Sequence, residues 1–169
     1  LTLWQEESHA LRSGTPVHVH VGASDTPGTV AILDADSDPL PPGASARAQL
    51  VLQRPIGAWH GDRVVLRDAS ASRTLAGGSV LDPFAPVRYR RTPQRLALLQ
   101  AQALPSASER LAALLAASAM GVDLQRLARA EGQPVAAALP ALPPARSWPM
   151  LTGRRRGHST RRRWRPRAT

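Results

Sequence analysis

The chain has 169 residues, enough for one ordinary domain or two small ones, and its 43% apolar content can fill a core, chiefly with Leu, Val and Ala because aromatics are only 4%. Cysteine is absent, which excludes disulfides and thiolate metal sites and fits a reducing cytoplasm. The formal charge of +10 is all arginine: nine of the 22 lie between Arg146 and Arg167 with no acid among them, so residues 1–145 set 13 arginines against 12 acids and are nearly neutral.

No apolar run approaches the ~20 residues needed to cross a bilayer, so no membrane partner is expected. The chain opens at Leu1-Thr-Leu-Trp4, with neither an initiator Met nor a basic-then-apolar leader. That opening reads as the inside of a strand, and the chain is expected to be a fragment. Val17, Val19 and Val21 alternate with His18 and His20, the period of a half-buried strand. Asp25-Thr-Pro-Gly28 reads as a turn, with Gly28 free to take positive φ. A strand resumes over Thr29–Leu33, and an acidic then Pro-rich loop follows from Asp34 to Gly43. Ala46, Ala48, Leu50 and Leu52 alternate with Arg47, Gln49 and Val51, and Arg63–Arg67 and Arg73–Leu81 complete six short strands. Such a set predicts a closed barrel or a sandwich. The expected inward residues are Val17, Val19, Val21, Ile32, Leu50, Leu52, Val65 and Leu75.

From Thr92 the pattern turns helical. Thr92 suits an N-cap and Pro93 the first helical position. Leu96, Leu99, Gln100 and Ala103 should share a face, and Pro105 should end that helix. Ser106-Ala-Ser-Glu109 has the form of a capping box. Leu111, Leu114, Leu115 and Ser118 continue at helical spacing to a break at Gly121. Asp123 should cap a further helix that carries Leu124, Leu127 and Ala128 and stops at Gly132. Two short helices about a Gly-containing turn resemble helix-turn-helix. A third helix near Pro134 is expected to be cut short by Pro140, Pro143 and Pro144. Residues 92–145 thus read as a partial winged-helix domain. Residues 146–169 have neither helical nor strand period and are expected to be disordered. Trp148 and Trp164 among arginines would suit single-stranded RNA. A Lys-free Arg run with scattered Trp and Pro is also what a GC-rich gene yields when read out of frame, and this second reading is preferred.

The stretch Gly61–Pro83 is the most telling: two strands around a polar turn, the second running through Gly77-Gly78. With Val17-His-Val-His-Val-Gly22, Leu40-Pro-Pro-Gly43, Ala48-Gln-Leu50, His60-Gly-Asp-Arg63, Leu66-Arg-Asp68 and Gly78–Phe84, it resembles the third domain of the selenocysteine-specific translation elongation factors, the SelB family. The resemblance implies a mainly β fold over residues 1–85, the barrel shared with elongation factor Tu. It implies that this barrel holds aminoacylated tRNA, here selenocysteinyl-tRNA, for delivery to the ribosome. By the same resemblance RNA contacts fall to His18, His20, Thr26, Arg54, Arg67, Ser70 and Arg73. Arg54, before Pro55, would take a phosphate oxygen pair with its guanidinium fork. The turn Arg67–Arg73 would present backbone N–H groups. Read from the residues alone, His18 and His20 are a polar outer face, Arg54 is a solvated surface residue, and a metal site would need a third partner from His9, His60 or a carboxylate. Arg63 and Arg67 are spaced to share a face with Val65 between them.

The family's GTPase and second domains have no counterpart here, and the distal winged helix that reads an mRNA hairpin in the family is replaced by the Arg-rich tail. Hairpin binding is therefore not expected. GTP and Mg belong to the missing part, and this chain needs no cofactor of its own. Two alternatives stand beside this reading: a winged-helix DNA-binding regulator with an unrelated β domain, and another Tu-type GTPase. Residues 134–145 contain no basic residue, which disfavours a DNA-reading helix. The helical extension disfavours the second. A Walker phosphate loop needs a Lys, and there is none. The chain alone should therefore neither bind nor hydrolyse GTP; saturable heat on calorimetric titration with GTP would contradict this.

Overall fold

The computed structural model describes residues 1–138. Both the prolines at 140, 143 and 144 and the basic tail lie outside the described residues.

Six strands form one antiparallel sheet: β1 Thr2–Leu3, β2 Pro16–Val21, β3 Ser24–Ile32, β4 Ala48–Leu52, β5 Arg63–Arg67 and β6 Thr74–Ser79. Their spatial order is β1-β6-β5-β2-β3-β4. The sheet curls until its ends approach. Leu3 N donates to Ala44 O (3.0 Å) and Ala46 N to Leu1 O (2.9 Å), so β1 also bonds to the segment entering β4. This is the mainly β, barrel-like architecture expected. Its interior holds Val17, Val19, Val21, Ile32, Leu66 and Leu75, all buried, with Leu40 of the proline-rich loop closing one end.

Two expectations fail for identifiable reasons. Residues 25–28 are not a turn. The reversal occurs at Gly22-Ala23, where Gly22 has φ +57°, and β3 runs straight through Asp25–Gly28. Gly28 is needed for closeness rather than for positive φ: a Cβ there would lie 2.7 Å from the Val51 carbonyl oxygen. In β5 the inward residues are Val64 and Leu66, while Val65 is 38% exposed. Because Arg63 and Arg67 share the parity of Val65, an inward Val65 would have drawn two guanidinium groups into the core.

Four helices follow: α1 Pro93–Gln102, α2 Ala107–Ala117, α3 Leu124–Ala130 and the short α4 Val135–Ala138. Thr92 caps α1, its hydroxyl accepting from Arg95 N, and Asp123 caps α3 through Gln125 N and Arg126 N. Ser106 stands at the N-cap of α2, but the capping box does not form; its hydroxyl bonds Ser108 instead, at 2.8 Å. In α1, Leu99 and Ala101 are buried while Gln100 and Ala103 face solvent, so the inward face is rotated from the one expected. The cause is Arg95, whose guanidinium is drawn inward to Asp82 (2.8 Å).

The helices are fastened to the barrel at several points. Asp82, with a side chain only 4% exposed, also lies 3.5 Å from Arg126. Arg91 donates to Ile32 O, Arg47 to Leu96 O and Gln49 to Pro86 O. On the far side His60 N donates to Ala130 O, and the Trp59 indole lies against the Gly132 Cα, where a Cβ would sit 3.1 Å from the ring. No helix among the described residues is long and apolar enough to cross a membrane.

Leu66→Ala should lower stability by about 2–5 kcal/mol, the cost of emptying a core site, and Val65→Ala by under about 1 kcal/mol. Urea denaturation measures both, and a reversed ranking would restore Val65 as the inward residue.

Candidate nucleic-acid interface

The outer face of the sheet is set by β2. Its valines point inward, so His18 and His20 must point out. His18 stands opposite Arg67 of β5 on one side and Pro27 of β3 on the other. Gln53 N, just past β4, donates to Pro27 O. One level across four strands therefore runs Arg67, His18, Pro27, Gln53, with Arg54 next in the chain. At about 4.8 Å between strands the row spans roughly 14 Å.

The groups along this row differ in how committed they are. Arg54 is exposed, and no acceptor among the described residues lies within hydrogen-bonding distance of it. The same holds of Arg63, further along β5. Arg67 donates through one terminal nitrogen to Ser72 O (3.1 Å), and its buried Nε has no partner among the described residues. His18 Nδ1 lies 3.1 Å from Asp25 Oδ1, and His20 Nε2 lies 3.7 Å from the same oxygen, too far for a hydrogen bond. Asp25 thus draws both imidazoles together. Among the described residues no group of three or more His, Asp or Glu side chains is arranged to hold a metal ion.

Three of the residues assigned by resemblance are placed differently from what that role requires. Thr26 is 1% exposed and points into the barrel with the valines, because β3 is continuous through it; its hydroxyl cannot reach RNA without opening the core. Arg73 is held by Glu7, at 2.9 and 3.0 Å to its two carboxylate oxygens. The Ser70 hydroxyl donates to Asp68 (3.1 Å).

The turn after β5 also departs from expectation. Three of its N–H groups are taken within the turn itself. Ser72 N and Arg73 N donate to Asp68 Oδ1 at 2.7 and 3.3 Å, and Ala71 N donates to Asp68 O at 2.8 Å. The Asp68 carboxylate and carbonyl thus accept from three of the turn's amides. An Asp at the head of a small-residue turn caps the turn's own amides, and this rule of turn chemistry could have been read from Asp68-Ala-Ser-Ala-Ser72. Arg63, conversely, is an exposed cation with no partner among the described residues that the site assignment left out, although its parity with Arg67 was legible.

The family model described as selenocysteine-specific elongation factor, beta-barrel domain, matches residues 1–87. The chain belongs to this family. Three relatives named selenocysteine-specific elongation factor are similar to it. That of Haemophilus influenzae is 33% identical over 106 residues, covering 62% of this chain and 17% of the relative. That of Desulfomicrobium baculatum is 29% identical over 121 residues, covering 72% and 19%. That of Escherichia coli K12 is 34% identical over 126 residues, covering 75% and 16%. The chain therefore spans less than a fifth of the length of these relatives. Within the SelB barrel the matched segment takes in the whole row from Arg67 to Arg54 and the Asp68 turn.

Hydrogen bonds, led by that from the Ser72 hydroxyl, hold the Asp68 carboxyl at about 2, below its ordinary 3.8. A folded-state value below the unfolded one means stability that is complete above the unfolded value and lost as pH falls through the folded one. Thermal stability should accordingly decline between about pH 4 and pH 2, and Asp68→Asn should flatten that decline. Melting curves across this range test it; an unchanged slope in the variant would remove Asp68 as its source.

Proposed function

We propose that this barrel is the tRNA-holding part of a selenocysteine-specific elongation factor, working in the cytoplasm. In that role it grips selenocysteinyl-tRNA while the whole factor, using GTP and Mg bound outside this chain, delivers it to the ribosome. The observation that carries the reading is the row on the outer face: Arg67, His18, Pro27 and Gln53 at one level, with Arg54 next in the chain and its guanidinium without an acceptor among the described residues. A cation without an internal acceptor loses nothing by turning to a phosphate, whereas one already in an ion pair must give up its partner. Family membership supports the same reading and sets aside the DNA-regulator alternative, since the β region is not an unrelated domain.

The contact set differs from the one implied by resemblance alone. Arg54, Arg67 and His18 are its centre, Arg63 and His20 extend it along the two strands, and Thr26 is removed. Arg73 and Ser70 serve to hold the turn rather than the RNA. Of the turn's amides, those of Ala71, Ser72 and Arg73 are held by Asp68.

Arg54→Ala in a full-length factor carrying this barrel should weaken aminoacyl-tRNA binding by about 1–2 kcal/mol, the loss of one charge-assisted hydrogen bond. It should also reduce the slope of log affinity against log salt by about 0.9 or somewhat less, one phosphate contact being gone. Arg73→Ala should change neither. Titration of labelled aminoacyl-tRNA at several salt concentrations measures both quantities. Unchanged affinity and slope for Arg54→Ala would return that residue to the solvated surface.

A further inference from the structure

The loop that joins the barrel to α1 is cationic, and nothing inside the molecule balances it. Between Asp82 and Glu109 the chain carries Arg88, Arg90, Arg91 and Arg95 and no acid. Two of these are spent internally: Arg95 on Asp82, and Arg91 on the Ile32 carbonyl, the Ser13 hydroxyl and Asp38. Arg88 is exposed and meets no acceptor among the described residues. Arg90 donates to the Val87 carbonyl (3.2 Å) and, among the described residues, faces no acid.

Both ends of this loop are pinned. Gln49 Nε2 donates to the Pro86 carbonyl at 3.0 Å, and Arg91 Nε to the Ile32 carbonyl at 2.9 Å. Between these anchors Val87 and Tyr89 are each 80% exposed. Tyr89 stands at φ +58°, a left-handed conformation that is costly for a bulky residue and that Gly or Asn adopts more cheaply. Thr92 enforces it, its N–H and its hydroxyl both donating to the Tyr89 carbonyl, at 3.4 and 3.2 Å. The fold thus uses the Tyr89 backbone but not its ring, which is left in solvent with its hydroxyl bonded to nothing among the described residues. Backbone strain of this kind persists where function uses it.

We propose that Val87–Arg90 is a binding site for unpaired RNA, with one base on the Tyr89 ring and the flanking phosphates on Arg88 and Arg90. An exposed ring between two uncommitted guanidinium groups matches a single strand, whose bases are free to stack and whose backbone is anionic. A duplex hides its base faces, and an acidic peptide would use the arginines and leave the ring idle. The site is separate from the row on the sheet. Its anchor, Gln49, has the outward parity of Gln53 but lies four residues back along β4, about 13 Å from the level of the row.

Tyr89 is the chain's only tyrosine, so NMR signals of a labelled tyrosine ring report this loop and no other part of the molecule. The full chain is titrated with a short oligoadenylate, with a GC-rich RNA duplex of the same length and with oligoglutamate. Oligoadenylate should move the ring signals upfield and saturably, as stacking does, while the duplex and oligoglutamate leave them in place. Arg88→Ala should weaken the affinity read from these signals by about fivefold or more, one charge-assisted contact being lost. Tyr89→Gly should not lower the melting temperature, since glycine suits the positive φ. Ring signals unmoved by oligoadenylate, or an unchanged affinity in Arg88→Ala, would overturn the proposal. Equal movement with the duplex or with oligoglutamate would also overturn it, the latter making the loop a site for acidic protein segments. A lower melting temperature for Tyr89→Gly would give the ring to the fold and overturn it as well.

Discussion

The central strand β2 imposes one constraint on everything around it. It is hydrogen-bonded on both edges, to β3 and to β5, and its two faces have opposite tasks. Val17, Val19 and Val21 are all at most 5% exposed and form the middle of the core. His18 and His20 stand on the other face, in the centre of the basic row. A slip of one residue would put two imidazoles in the interior and three valines on the surface, so the same packing that stabilises the barrel fixes the register of the candidate interface. Arg67 is beside His18 because Leu66 is beside Val19. Interface geometry is thus inherited from core geometry, with no separate device to position it.

The helical part depends on a different kind of contact. Its attachment to the barrel is largely polar: the buried Asp82 carboxylate with Arg95 and Arg126, the Arg47 and Gln49 bonds to Leu96 and Pro86 carbonyls, and Arg91 on the Ile32 carbonyl. Buried ion pairs contribute little net stability because desolvation offsets attraction, but an unmatched member is costly. Such contacts therefore select one orientation of the helices over others more than they strengthen the fold. Phe84 reinforces this choice, lying within 5.6 Å of the Arg126 and Arg129 guanidinium groups.

The six strands, the Thr92 and Asp123 caps and the switch from β to α were legible because each rests on local chemistry and simple period. The misreadings occurred where a local signal met a longer-range one. Asp25-Thr-Pro-Gly28 has turn composition, yet Pro27 fits a strand here: it lies at the end of the β3–β4 ladder, beyond Leu52, where its missing N–H forgoes a single bond, and its carbonyl is still used by Gln53. Val65 was assigned inward on hydrophobicity, although its parity with two arginines argued otherwise. The α1 face was misjudged because Arg95 looks like a surface residue until Asp82, from another element, claims it. In the candidate interface the positions of His18, Arg54 and Arg67 could be anticipated. That Glu7, 66 residues away in sequence, occupies Arg73 could not.

The segment from Gln53 to Asp62 has a mechanical character. Arg54 is at one end, facing solvent; Trp59 and His60 at the other grip the chain that leaves α3. Between them Ile56 and Ala58 rest on the core, and Pro55 stiffens the first step. That is a lever on a fixed pivot. The indole and the His60 amide meet the helical side at the opposite end of this segment from Arg54. A load on the helical side and the exposed Arg54 are thereby joined by a single short beam.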